Sequence, residues 1–434
     1  MLLTSVVSTI ISSCQKEMNQ SPQQDKTLAS NGETLKATLV TKKTYVSNVD
    51  ELYAAINDSE NKGATIVLAP GTYLLNASHP NAGRLELLNN MALQGQPGKP
   101  EAVIIDATAL PNSSFTLPTT PAYPFTRRTG VVRVGDGNNA IEWITLRNDP
   151  NHKIRSLIQT DIANTPVAQI RIAHCNLSGS SLGINIINSG AATSGRVIDA
   201  LLEDNEVSGN VIQPFKTGIQ VQNSQSNADA TIRVVMRRNY IHGNGDGLVA
   251  FNSTFHCNVT IQSFDDRIEE NGAGILLDGG FIENAAVPAI NNTISFEAHA
   301  TAIRNNAGTP LPYEADPLGA GGILIRGGDI LPPTSGPVTL NNNKVNASFW
   351  GCRIGDNAGD FDIRAFGVFS GDPSAQAIWG NNTSFVYLYG TSAQASSTAI
   401  HSFPEEPGGT NTGLSTNQIR FQTIDIKNKG THHG

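Results

Sequence analysis

The chain is poor in large rings and in sulfur, with aromatics at 6% of 434 residues and only four cysteines. Three cysteines follow Cys14, and Cys175, Cys257 and Cys352 cannot pair completely among themselves, so a disulfide framework is excluded as the main brace. They are expected as small core residues, with no spacing that singles out a bridged pair. Basic clusters are also missing: the formal net charge of −8 is spread along the chain, leaving a nucleic-acid backbone no place to dock. No apolar run approaches the length needed to span a bilayer. Histidines and cysteines show no metal-ligand spacing, and His432 and His433 fall in the tail.

What is present is glycine, 41 residues of it, among stretches rich in Asn, Ser, Thr, Ile and Val. That mixture favours many short strands and turns over helices, hence an all-β fold. A single solenoid absorbs such a length without a second core.

Leu2 to Ile11 is a short apolar run that ends in Ser12, Ser13 and Cys14. It resembles a bacterial lipoprotein signal, although the usual Lys or Arg at the start is missing. The resemblance implies removal of residues 1–13, lipid on Cys14, and anchorage to the outer membrane without a spanning helix. Gln15, Lys16 and Glu17 resemble the short tags that send some such proteins to the cell surface. Residues 14–41, rich in Gln, Ser, Thr and Lys, read as a flexible tether, and residues 42–434 as one folded domain.

That domain opens with Ser47 and Asn48 before Asp50 and Glu51, a capping-box-like start to a short helix carrying Val49, Leu52, Tyr53, Ala55 and Ile56. Strand-length runs follow at Thr65–Ala69, Leu85–Leu87, Met91–Gln94 and Val103–Asp106, with Pro70-Gly71-Thr72-Tyr73 after the first. This order resembles the opening of pectin lyase-like β-helices. The resemblance implies a right-handed parallel β-helix with a helix capping its N-terminal end, and says little about chemistry.

An internal repeat supports the same fold. An aliphatic residue, five others and then Gly recur at Leu177, Ile241, Ile268 and Val345, and with longer insertions at Val207 and Ile303. Successive markers are 30, 34, 27, 35 and 42 residues apart. Period-two alternation places inward the pairs Ile184/Ile186, Ile219/Val221, Leu248/Ala250, Ile275/Leu277, Ile323/Ile325 and Cys352/Ile354. The preceding strand gives Ile170/Ile172, Ala200/Leu202, Val234/Met236, Ile261/Ser263, Phe296/Ala298 and Val338/Leu340. Two residues before each marker stand Cys175, Asn205, Asn239, Asp266, Thr301 and Asn343, an expected ladder of polar side chains at a sharp corner. After about Asp356 the period is lost, as expected of terminal coils or a cap.

Function is then sought on outward positions. After the glycines these read Asn185, Gln220, Val249, Leu276, Leu324 and Arg353, then Ile187, Gln222, Phe251, Asp278, Arg326 and Gly355. Either another segment covers this apolar face, or Phe251 is a sugar platform with Asp278 and Arg326 as polar contacts. The preceding strand carries Arg171, His174, Glu203, Asp204, Arg237, Arg238 and Asp265 outward. Such carboxylates and guanidinium groups suit a polysaccharide lyase with Ca2+ on the carboxylates and a basic residue taking the proton. They suit equally a glycosidase with two carboxyls, or a solvated face balancing its charge.

The Asp-His, Arg-x-Pro-x-x-Arg and Gly-His-Gly signatures of pectate lyases and polygalacturonases are absent. Asn244-Gly245-Asp246-Gly247 is a repeat turn, with His242 beside it. Insertions at 108–129, with Phe115, Tyr123, Phe125, Arg127 and Arg128, and at 305–321, with Tyr313, Glu314 and Asp316, are further binding candidates. The expectation is a monomeric, lipid-anchored β-helix that binds or cleaves polysaccharide, a uronan lyase before a glycosidase. The alternative is a non-catalytic scaffold for glycan or protein.

Overall fold

The computed structural model describes residues 42–424 apart from 113–129, 136, 150, 153, 161–166, 189–194, 212–215, 224–227, 283–286, 307–320, 331–337, 358–362, 371–375, 394–399, 408–409 and 412–417. Cys14 and the tether, and residues 113–129 and 307–320 of the two candidate insertions with Tyr123 and Tyr313, lie outside the described residues. All described residues belong to one compact unit, 39–434. Among them, no helix is long and apolar enough to cross a membrane.

The helix Val49–Asn57 starts as its sequence requires. Asn48 Oδ1 accepts from the Glu51 N–H at 2.9 Å, and Glu51 reaches back to accept from the Ser47 N–H at 2.7 Å. Leu52, Tyr53, Ala55 and Ile56 are buried in the solenoid core, so the helix caps its N-terminal end. Tyr73, from the Pro-Gly-Thr-Tyr turn, donates to the Val46 and Ala69 carbonyls.

Beyond the cap the chain winds through three long sheets, all of whose pairings are parallel. Among the described residues sheet A has 12 strands, running in order from Lys43–Val46 to Gln418–Ile424, sheet B has 10 and sheet C has 11. Most coils contribute one strand to each sheet, so the molecule is a right-handed parallel β-helix, the hand that parallel crossovers take almost without exception. One apolar core runs its length, from Val46 to Leu388.

The register bears out the inward pairs for five coils: Ile170, Ala200, Val234, Ile261 and Phe296 are stacked partners, as are Ile184, Ile219, Leu248, Ile275 and Ile323. The marker glycines stand where coils touch: a Cβ on Gly247 would lie 2.6 Å from the Gly274 carbonyl oxygen and 2.6 Å from Ile268.

The sixth coil departs from the sequence reading. A fourth sheet, of four strands, enters with Ala289–Ile290 and Val338–Asn341. Val338 and Leu340 therefore belong to this extra sheet, and the sheet A strand is Lys344–Trp350, with Val345 opposite Ile294. The partner of marker Ile303 is Ile354, 51 residues on rather than 42. Cys352 and Ile354 belong to the corner and to sheet B, and the sheet C partners of Ile323 and Ile325 are Ile363 and Ala365. Arg353 and Gly355 likewise leave sheet C, where the register partners of Leu324 and Arg326 are Arg364 and Phe366.

Polar ladders brace three corners. Between sheets A and B, Asn205 Nδ2 donates to Asn239 at 2.9 Å and Asn239 Nδ2 to Asp266 at 2.8 Å. Between B and C, Asn210, Asn244, Asn271, Asn306 and Asn357 form a longer series, each amide donating to the next. Asn343 belongs to a third ladder, between Asn292 and Asn382.

Candidate functional site

The outer face of sheet A holds the charged residues that the sequence singles out. At the ends of the four sheet A strands that carry these residues the chain bends through one residue with positive φ: His174 at 56°, Asp204 at 54°, Arg238 at 53° and Asp265 at 55°. That left-handed corner lets the last strand residue and its neighbour both reach outward, which brings Glu203 beside Asp204 and Arg237 beside Arg238.

Arginines then clamp the carboxylates across coils. Arg171 pairs with Glu142 and with Glu203, the latter at 3.2 Å. Arg238 bonds Asp204 through Nε at 2.7 Å and Nη2 at 2.8 Å, and Glu203 at 2.9 Å. Burial alone would raise the Glu203 pKa, but hydrogen bonds and charge from Arg171 and Arg238 outweigh it and hold the carboxyl below its ordinary value. Asp204 is lowered chiefly by its bond to Arg238. His174 stacks on Trp143 at 3.8 Å and faces Asp204 at 3.6 Å; burial lowers its pKa against the pull of Asp204.

Arg237 lies over the Phe264 ring, 5.8 Å from its centre. Asp265 is exposed and its side chain makes no hydrogen bond or ion pair. Among the described residues no group of three or more His, Cys, Asp or Glu is placed to hold a metal. Glu203 and Asp204, the carboxylates that the lyase reading gives to calcium, are engaged by arginine and do not fit that ion.

One register row continues this face along eleven of the twelve sheet A strands among the described residues. Tyr45, Val67, Gln94, Glu142, Ala173, Glu203, Arg237, Phe264, His299, Trp350 and Tyr389 are successive partners across eleven strands. At about 4.8 Å per coil the row is about 48 Å long. Its C-terminal rings stack on one another, Phe264 on His299 at 5.1 Å, His299 on Trp350 at 6.0 Å and Trp350 on Tyr389 at 3.7 Å. Trp350 and Tyr389 were hidden by the misplaced register of the sixth coil, whereas Phe264 and His299 lie on coils whose register the sequence shows and were passed over because that face was searched for charged groups. All four stand two places before Asp266, Thr301, Cys352 and Thr391, the residues of the A–B corner.

Sheet C presents a different outer face. Phe251, Asp278 and Arg326 are 7%, 1% and 1% exposed, so they offer no platform to a sugar. Phe251 packs with Val249, Leu276, Leu324, Phe281 and Phe366 in a second apolar cluster. Arg326 bonds Asp278 at 2.6 and 3.0 Å and meets Asp329 at 3.2 Å, while burial raises the Asp278 carboxyl against the pull of Arg326. Asp246 is buried near Thr217, and His242 pairs with Glu206 at 3.1 Å on sheet B. Cys175, Cys257 and Cys352 are buried and are not joined in disulfides.

No family model matches the chain, and no curated protein matches it. Among solved structures it is similar to the A-module of the mannuronan C-5 epimerase AlgE4 from Azotobacter vinelandii, at 11% identity and a TM-score of 0.43, covering 87% of this chain and 100% of that one. It is also similar to the catalytic unit of a GH87 alpha-1,3-glucanase from Streptomyces thermodiastaticus strain HF3-3, at 14% identity and a TM-score of 0.27, covering 87% of this chain and 67% of that one.

Proposed function

We propose that this chain is a lipid-anchored surface protein that binds polysaccharide along the outer face of sheet A without cleaving it. The observation that carries the reading is the row from Tyr45 to Tyr389, which sets polar or aromatic side chains on most of its coils. A polymer laid along the solenoid axis meets these groups at regular intervals. Hydrogen-bond donors remain for its hydroxyl groups, since Arg238 uses only part of its five-donor fork on Glu203 and Asp204.

Binding is favoured over cleavage by the state of the carboxylates. A glycosidase needs a carboxyl whose pKa is raised enough to donate a proton. Glu203 and Asp204 are held ionised instead, and Asp265 stands without a second carboxyl paired to it. Lipid on Cys14 would hold the protein at the outer membrane, with residues 14–41 as its tether.

The test uses the full chain with Cys14→Ser, which removes the lipid site, in gels containing polygalacturonate, alginate, a β-glucan or a xylan. Retardation by at least one polymer is expected, with Arg238→Ala weakening it about tenfold, the loss of one charged hydrogen bond. Incubation with the same polymers should release neither unsaturated nor reducing ends. Chain cleavage dependent on Arg238 or Asp265 would replace this reading with an enzymatic one.

A further inference from the structure

We infer that the groove at the N-terminal end of the row is a subsite for one sugar ring, with Tyr45 as its stacking platform. The inference rests on the polysaccharide reading above and adds to it a place and a mode of contact. The rings at the other end of the row occupy one another: Trp350 is stacked by Tyr389 on one side and approached by His299 on the other. Their edges remain for a ligand, but their faces are taken. Tyr45 differs. It is 72% exposed, makes no side-chain hydrogen bond, and no other ring packs on it.

Beside it lies a groove of about 630 Å³ whose lining includes Val67, Pro70, Gln96, Pro97 and Glu51. That volume falls within the range of small-molecule sites. The chemistry fits a pyranose ring, with apolar surface for its C–H face and the Gln96 amide for its hydroxyls. The groove is continuous with the binding row, since Tyr45 is the register partner of Val67 and Val67 that of Gln94. A polymer on the row therefore reaches Tyr45 without turning.

The platform also has a rigid base. Tyr45 sits on the strand Lys43–Val46, paired in full with Thr65–Leu68, and the neighbouring Val46 is buried in the core. Side-chain substitution at this exposed site leaves those backbone bonds in place.

The test measures gel retardation of the Cys14→Ser chain by whichever of the four polymers binds it. Tyr45→Ala is expected to weaken binding at least tenfold, while Tyr45→Phe and Tyr45→Trp keep it, because a stack needs the ring and not the hydroxyl. Circular dichroism and thermal unfolding of the variants should match the parent. If the parent binds and a folded Tyr45→Ala binds equally well, the subsite is overturned and the broader reading stands. If Tyr45→Phe loses as much as Tyr45→Ala, the ring-stacking mode is overturned. If no polymer retards the parent, the polysaccharide reading falls and the subsite with it.

Discussion

Asp266 fills the place in the A–B corner ladder that Asn205 and Asn239 fill on the two coils before it. Its Oδ1 accepts from the Asn239 backbone N–H at 2.7 Å and side-chain amide at 2.8 Å, and its Oδ2 accepts from the Ser263 hydroxyl at 2.6 Å. Burial still dominates and pushes the carboxyl from 3.8 up to about 6. Because the folded pKa lies above the unfolded one, the fold favours the protonated acid. Stability from this group is full below about pH 4, falls as pH rises towards 6, and stays at the lower level above that. Asp266→Asn places an uncharged amide there and is expected to raise stability at about pH 7.5 by roughly 2–3 kcal/mol, with little change at about pH 4. Thermal unfolding at the two pH values checks this, and an equal shift at both would contradict it.

At the scale of the element, the ladders and the close approach at the marker glycines hold the coils in register. Asn271 donates to Asn306 and to the Ile241 and Glu269 carbonyls, and accepts from the Asn244 backbone and side chain. Asn271→Ala leaves buried partners on both sides unsatisfied and should cost about 3 kcal/mol in urea unfolding; a loss below about 0.5 kcal/mol would show the ladder to be passive.

Much of this was legible in the sequence because inward alternation repeats faithfully over five coils. It failed at the sixth because Val338 and Leu340, from the inserted fourth-sheet strand, alternate as a sheet A strand does. Spacing alone does not separate the two. The corner at Cys352 was hidden as well, since that position accepts Cys, Asn, Asp or Thr on different coils.

Across the whole molecule, the charged half of the proposed binding row was legible and the aromatic half was not. Glu203, Asp204, Arg237 and Arg238 fall on coils with short, regular spacing. Trp350 and Tyr389 follow coils of 51 and 39 residues, measured from the Thr293, Lys344 and Thr383 register partners. Phe251, Asp278 and Arg326 share an outward row, yet burial is a property of what lies over them, and strand alternation carries no record of that. The ion-paired face could not have been told from a catalytic one by residue type either. The difference lies in which carboxylates the arginines reach.

In the proposed mode of binding a polysaccharide lies along the axis across successive coils, from Tyr45 towards Tyr389. The measurement that tests it most directly is affinity against oligosaccharide length for the polymer that binds. Affinity should climb with each added sugar until the oligomer approaches the row's length of about 48 Å, and then level off. A disaccharide binding as tightly as the polymer would contradict it, placing recognition in a single pocket rather than along the solenoid.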